Sequence, residues 1–297
     1  MDPTRKAFVA ALLAVALAGC SPRGSRPESV AAAPEEPSRL VFRDVGGREL
    51  AAFVFRARSH SRGPAPAILL FHGGGWVAGG ADWTFPRARR YARMGLVAIA
   101  IDYRLSDEVT TPVDALDDVC EAFRWVRRNA EMLGIDPSRV AGHGVSAGGQ
   151  LVAAAATRGC GSSEGSFGNG GPDALVLWSP ALDVVRDGWF RRLLQGRADP
   201  VDYSPADRVP ARMAPAIIVH GAEDTLTPVD GARRFCERAG ANGNRCELQA
   251  YPGLGHLLTR NLANQEDDYD PDPVASTDGI ARQERFLCEL WLDGQSC

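Results

Sequence analysis

Lysine is all but missing from this 297-residue chain: Lys6 is the only one, and every other cationic side chain of the Lys/Arg class is arginine. A bias of base composition would produce that equally well, so it carries no functional weight. Positive charge is not in excess either. The formal net charge is −4, and no basic stripe interleaved with aromatics occurs, so no nucleic-acid partner is expected. The apolar run at residues 7–18 falls short of the ~20 residues that a spanning helix needs. None of the seven cysteines falls in a C-x-x-C spacing, so no structural zinc site is expected. Neither a Walker loop nor a dinucleotide-binding glycine fingerprint is present. What remains is the composition of an ordinary globular domain, 45% apolar and 24% charged, long enough for one substantial core.

Arg5 and Lys6 followed by a dozen apolar residues make a secretory signal peptide over residues 1–19. The stretch Leu17-Ala18-Gly19-Cys20 resembles the lipobox of bacterial lipoproteins. That resemblance implies acylation of Cys20, a mature chain starting there, and a membrane partner through the lipid anchor. An ordinary cleaved signal with a coincidental cysteine is the competing reading. Ser21 after the cysteine resembles outer-membrane sorting, which gives a cell-envelope location. Residues 20–38, rich in Pro, Ser, Ala and Arg, read as a flexible tether, with the globular domain over 39–297. Setting Cys20 aside leaves six cysteines in an oxidising compartment. Near neighbours make Cys236–Cys246 and Cys288–Cys297 plausible pairs, leaving Cys120 with Cys160.

Downstream, apolar runs bounded by turn residues predict strands at 39–44, 49–56, 67–71, 96–101, 139–143, 174–178, 216–220 and 245–251. Helices are expected over 82–94, 113–133, 147–157, 231–239 and 279–292. Strands alternating with helices imply an α/β fold, a mostly parallel central sheet with helices on both faces. Its reactive loops lie beyond the carboxyl ends of the strands. Segments 159–171, 184–212 and 261–278 break the alternation. Each either shapes a substrate cleft or is unstructured surface.

The chemistry concentrates after these strands. His143-Gly144-Val145-Ser146-Ala147-Gly148-Gly149 contains G-x-S-x-G between a strand and a helix. Small neighbours permit the sharp turn that lifts a serine hydroxyl over a sheet edge, and the helix aims its first N–H groups there. A plain helix-entry turn is the alternative. His72-Gly73-Gly74-Gly75-Trp76 follows another buried strand and offers unobstructed backbone N–H donors; it could also be merely a flexible loop. Gly73, Gly74 and Ala147 are the expected oxyanion-hole donors. A serine hydroxyl needs a base. Of His60, His72, His143, His220 and His256, only His256 sits in a loop after the last strand, and it falls in the required chain order. His72, His143 and His220 close buried strands and read as structural or loop-positioning. Asp224 is the expected acid that orients the base, with Glu223 as rival; the bland role for Asp224 is a helix cap.

Together the HGGGW loop, Asp102-Tyr103-Arg104-Leu105, GHGVSAGG, Ser179-Pro180, HGAEDTLTP and GLGH resemble the α/β-hydrolases of the hormone-sensitive-lipase and acetyl-esterase kind. The resemblance covers roughly residues 40–292. It implies Ser146 as nucleophile, His256 as base and Asp224 as acid, with no metal or cofactor. It also implies that residues 102–105 brace the oxyanion loop. Departures are Val145 where the common elbow has Asp, Ser106-Asp107-Glu108 where Pro-Glu is usual, and the acidic insertion after His256. The expected activity is hydrolysis of a small-molecule or polysaccharide-linked ester, such as an acetyl or feruloyl ester. Competing readings are an amidase or peptidase of the same fold and a catalytically silent envelope lipoprotein.

Overall fold

The computed structural model describes residues 36–58, 63–161 and 170–292. The expected signal peptide, Cys20, most of the tether, His60 and Cys297 lie outside the described residues. Among the described residues, eight strands form a single sheet: β1 (Ser38–Val45), β2 (Arg48–Phe55), β3 (Ala65–Phe71), β4 (Val97–Ile101), β5 (Ile135–Val145), β6 (Ala174–Trp178), β7 (Ala216–Gly221) and β8 (Cys246–Tyr251). Their spatial order is β1-β2-β4-β3-β5-β6-β7-β8. The two β2 contacts are antiparallel, and every pairing from β4 through β8 is parallel. Ser38, expected as the last tether residue, already pairs with Val54.

Alternate residues of the central strands face opposite layers, as period-two geometry requires. Leu69 and Phe71 of β3 join one core with Val119 and Phe123 from α2 (Pro112–Arg128), Leu151 from α4 (Ala147–Arg158) and Phe235 from α6 (Val229–Ala241). Ile68 and Leu70 join the other, with Tyr91 from α1 (Phe85–Met94) and Phe286 and Leu287 from α7 (Pro273–Trp291). The sheet is therefore covered on both faces, which explains why its inner strands read as unbroken apolar runs.

Local signals set most helix ends. Thr111 and Asp114 form a reciprocal capping box at the start of α2, with Pro112 at the first helical position. Gly95 ends α1 in the left-handed region at φ 103°. The long helix expected over 113–133 breaks at Asn129, giving α2 and a single turn, α3 (Ala130–Leu133). The last helix begins six residues earlier than expected. Asp272 accepts hydrogen bonds from the N–H groups of Val274 and Ala275, and Pro273 occupies the first turn. Segment 184–212 holds α5 (Gly188–Leu193), capped by Asp187, and two short 3-10 turns.

Disulfides join Cys120 to Cys160 and Cys236 to Cys246, two of the pairs expected. Cys288 is disulfide-bonded as well. The first bridge closes a loop with a sequence separation of 40 and the second one of 10. Loop-closure entropy makes the longer bridge worth about 4 kcal/mol and the shorter about 3 kcal/mol. Urea unfolding of Cys120→Ala/Cys160→Ala and Cys236→Ala/Cys246→Ala should therefore show the larger loss for the first pair.

Candidate active site

The site sits where the strand order reverses direction. From β3 the chain runs through α1 to β4 on one side, whereas β5 pairs with β3 on the other. Loops after β3 and β5 thus emerge side by side at a topological switch point. Register fixes the match, because Phe71 pairs with Gly144.

Ser146 occupies the turn between β5 and α4 at φ 52°, ψ −116°, a strained conformation for a residue with a side chain. Its N–H donates to the Trp178 carbonyl at 2.9 Å, which ties the turn to β6. The turn tolerates little bulk. A Cβ on Gly144 would lie 2.4 Å from the Gly148 carbonyl oxygen, and one on Gly148 would lie 2.3 Å from that of His72. Both obstacles are backbone, so neither can yield.

The three side chains expected to cooperate meet here. His256 Nε2 lies 3.1 Å from Ser146 Oγ, and His256 Nδ1 lies 2.8 Å from Asp224 Oδ2. His256 and Asp224 are 3% and 5% exposed, so their contact is dry. Glu223, the rival acid, is elsewhere: its Oε2 accepts the Gly253 N–H at 2.7 Å. Asp224 Oδ1 accepts the N–H groups of Leu226 and Thr227, and Oδ2 also accepts from Thr227 Oγ1. Burial pushes this carboxyl upward, but hydrogen bonds from His220 and His256 outweigh it and hold the group well below the usual carboxylate range.

Gly73 lies against the serine: a Cβ there would be 3.3 Å from Ser146 Cβ. Gly74 turns at φ 104°, and its carbonyl accepts from Val77 and Ala78. The backbone N–H groups of Gly73, Gly74 and Ala147 have no backbone acceptor among the described residues. They are thus free to receive an oxyanion at the start of α4. Tyr103 braces this loop as expected of residues 102–105. Its hydroxyl donates to the His72 carbonyl at 2.9 Å, and its ring stacks on His72 at 4.3 Å. Gln150 accepts from Trp76 Nε1 and donates to the Tyr203 carbonyl, which pins the loop from below.

Two features that complete the site escaped the sequence reading, the contact of His220 with the acid and the clamp at Gln265, whereas Trp189 lies in a segment expected to shape the cleft or to be surface. His220, read as structural or loop-positioning, points Nε2 at both the Thr227 carbonyl (2.6 Å) and Asp224 Oδ2 (3.2 Å), so it carries its proton there. Its four-residue spacing from Asp224 was the available signal. Gln265 comes from the acidic insertion and is buried. Its Oε1 accepts the N–H groups of His256 (2.8 Å) and Thr225 (3.1 Å), and its Nε2 donates to the Glu223 carbonyl. One side chain therefore clamps the base loop to the acid loop, and no local pattern announced it. Trp189, from segment 184–212, donates through Nε1 to the Gly75 carbonyl. A cavity of about 720 Å³ opens over Ser146 and His256, walled by Trp76, Trp83, Trp189 and Tyr269. Among the described residues no group of three or more His, Cys, Asp or Glu side chains is placed to hold a metal.

Comparison with known proteins places this geometry in context. Esterase LipC of Mycobacterium tuberculosis is 30% identical over 227 residues, which is 68% of this chain and 55% of LipC. Esterase LipI of the same organism is 31% identical over 219 residues, 65% of each chain. The chain thus spans little more than half the length of LipC. Among solved structures, Thermogutta terrifontis esterase 2 phosphoramylated by tabun superposes with a TM-score of 0.75 at 29% identity, covering 88% of this chain and 97% of that one. The same esterase with propionate bound gives 0.74 at 29% identity, covering 87% and 96%. The family model described as alpha/beta hydrolase fold matches residues 68–260. On that match, which spans well over half its length, the chain belongs to the alpha/beta hydrolase fold family.

Proposed function

We propose that the protein is a serine carboxylesterase that hydrolyses small or short-chain acyl esters through an acyl-enzyme. The continuous hydrogen-bonded line from Asp224 through His256 to Ser146 carries this reading. Ser146 Oγ attacks the ester carbonyl while its proton passes to His256 Nε2. The carbonyl oxygen, now negative, lies against the N–H groups of Gly73, Gly74 and Ala147, each such donor typically worth ~3–4 kcal/mol. Collapse breaks the bond to the alcohol, which leaves with the proton from Nε2. Water then attacks the acyl-enzyme by the same route, and the acid departs as Ser146 recovers its proton. Asp224 holds Nδ1–H of His256 and stabilises the imidazolium. The esterase solved with propionate bound and in a form phosphoramylated by tabun supports a small acyl group and covalent reactivity of such a site. Trp83 and Trp189 are exposed aromatic side chains in the cleft wall and suit a sugar or an aromatic acyl group, so acetyl or feruloyl esters on polysaccharide are within this proposal.

The proposal extends to location: a chain acylated at Cys20 and held in the cell envelope at the outer membrane. The lipobox-like Leu17-Ala18-Gly19-Cys20 supports it, as do disulfides that need an oxidising compartment. Mass spectrometry of the mature amino terminus should find an acylated Cys20; an unmodified terminus would sink this part.

A panel of p-nitrophenyl esters of increasing acyl length should show turnover that falls as the chain lengthens. Ser146→Ala should lose at least about 10³-fold in kcat/KM. Equal turnover by parent and variant removes the serine mechanism. Asp224→Asn should cost about 10⁴-fold in kcat with little change in KM, because it favours the wrong imidazole tautomer. The same variant tests linkage. A carboxyl depressed in the folded state stabilises above its unfolded value of ~3.9, and that contribution is lost as pH falls toward the folded value. The stability gap between parent and Asp224→Asn should therefore narrow below about pH 4, as thermal unfolding would report.

A further inference from the structure

Behind the catalytic cleft lies a second cavity of about 550 Å³, between α1 and α7. It shares Trp83, Thr84, Val145 and Leu257 with the cleft. Two of these walls are the chain neighbours of Ser146 and His256, so the spaces stand back to back. Their charges differ. Asp187 and Glu266 line the cleft, together with His72 and His256 but no arginine or lysine. The second cavity is lined by Arg87, Arg90, Arg93 and His143, and by no carboxylate.

Among the described residues, only one of those arginines is neutralised from outside. Arg90 is held in a two-pronged pair by Glu284 of α7. Arg93 has no ion pair among the described residues. Arg87 has none either; its guanidinium lies 5.1 Å over the Trp178 ring, and its Nη1 is buried without a hydrogen-bond partner. A buried guanidinium donor left unsatisfied is costly, and a cavity is where an acceptor can reach it. Val145 matters here. It lines the same cavity as Arg87 and brings an apolar side chain, not a carboxylate, to that wall.

His143 provides the second donor. It is 1% exposed, and its Nδ1 lies 3.3 Å from the hydroxyl of Tyr91. Burial pushes the Tyr91 phenol up to about 12, so it keeps its proton, and among the described residues Nδ1 is the one partner its hydroxyl has, so the hydroxyl donates there. Burial and then the charge of Arg87 keep the imidazole neutral. With Nδ1 accepting, the ring proton sits on Nε2, which has no partner among the described residues. A neutral N–H donor and two uncompensated guanidiniums therefore border one cavity.

We propose that this cavity is an anion site that receives a carboxylate-class group on Arg87, Arg93 and the Nε2–H of His143. The group is either the free end of a substrate whose ester lies at Ser146 or a separate small carboxylate. Occupancy bears on the catalytic pair through Val145 and Leu257.

The test has two arms, both with the full chain. In the first, succinate is titrated at constant ionic strength while thermal unfolding is followed. The parent should be stabilised, and Arg87→Gln should weaken the apparent affinity at least about tenfold, as expected for one lost charge-assisted hydrogen bond. Val145→Asp, which leaves Arg87 in place and sets a carboxylate in the wall, should do the same and serves if Arg87→Gln does not fold. The second arm rests on the esterase reading. It compares p-nitrophenyl butyrate with p-nitrophenyl hemisuccinate, acyl groups that differ at the far end by methyl against carboxylate. A substrate-borne anion predicts that Arg87→Gln raises KM for the hemisuccinate at least about tenfold and spares the butyrate. Stabilisation by succinate without that discrimination identifies a separate carboxylate. A parent that neither gains stability nor distinguishes the esters, or variants that respond as the parent does, overturns the inference. If no ester is turned over, the esterase reading fails, and the succinate arm alone decides the anion site.

Discussion

Parallel pairing between β3 and β5 is the constraint from which the site follows. With Phe71 opposite Gly144, two loops of unlike character leave the sheet at the same height. One is built from glycines and exposes backbone donors; the other carries the serine into the space above them. The first turn of α4 must then pass so close to the end of β3 that Gly148 can bear no side chain. A one-residue slip in this register would exchange the faces of every β3 side chain and separate the donors from the hydroxyl. The buried apolar character of Ile68, Leu69, Leu70 and Phe71, packed on both sides, is what forbids the slip.

A second requirement is a stable charge beneath the imidazole. Asp224 is buried, yet it keeps its negative charge because donors surround it: two backbone N–H groups, the Thr227 hydroxyl, His220 and His256. Taken alone, burial would favour the neutral acid. The arrangement resolves the conflict in favour of the anion, and an anion is what fixes the tautomer of His256. His220 thereby acts on the base without touching it, through the carboxylate they share.

Much of this was legible in the sequence because the relevant signals are local. Apolar runs located β3, β4, β6 and β7 to within a residue or two, and the strand–turn–helix context of Ser146 marked the elbow. Chain order selected His256 from five histidines. What escaped was of two kinds. Asp272-Pro273 is a helix start that a polar, acidic neighbourhood hid, so α7 was expected too late. Gln265 was beyond reach of any periodicity, since its partners His256, Thr225 and Glu223 come from two other loops. Long-range polar clamps of this sort leave no spacing signature. They are visible only once the fold has brought their partners together.

Strain shows why the insertion after His256 belongs to the site and is not mere surface. Outside glycine, the described residues with positive φ are Trp76, Ser146, Ser179, Gln195, Leu257 and Leu258, and all but Gln195 surround the catalytic pair. Conformations of this kind cost about 1–3 kcal/mol each and persist only when neighbours over-determine them. For Leu257 and Leu258 the neighbours are specific. Leu257 N–H donates to Ser179 Oγ, while the Leu258 carbonyl accepts from Asp272 N–H. Thr259 pairs with Pro271 across a short antiparallel bridge, and Arg260 N–H donates to the Asp270 carbonyl. The insertion thus returns on itself to close against the very turn that carries the imidazole. Asp267, Asp268 and Asp270 are exposed, whereas Gln265 is buried. A segment that composition alone presents as polar surface is, by these bonds, the outer half of the support that keeps His256 Nε2 within reach of Ser146 Oγ.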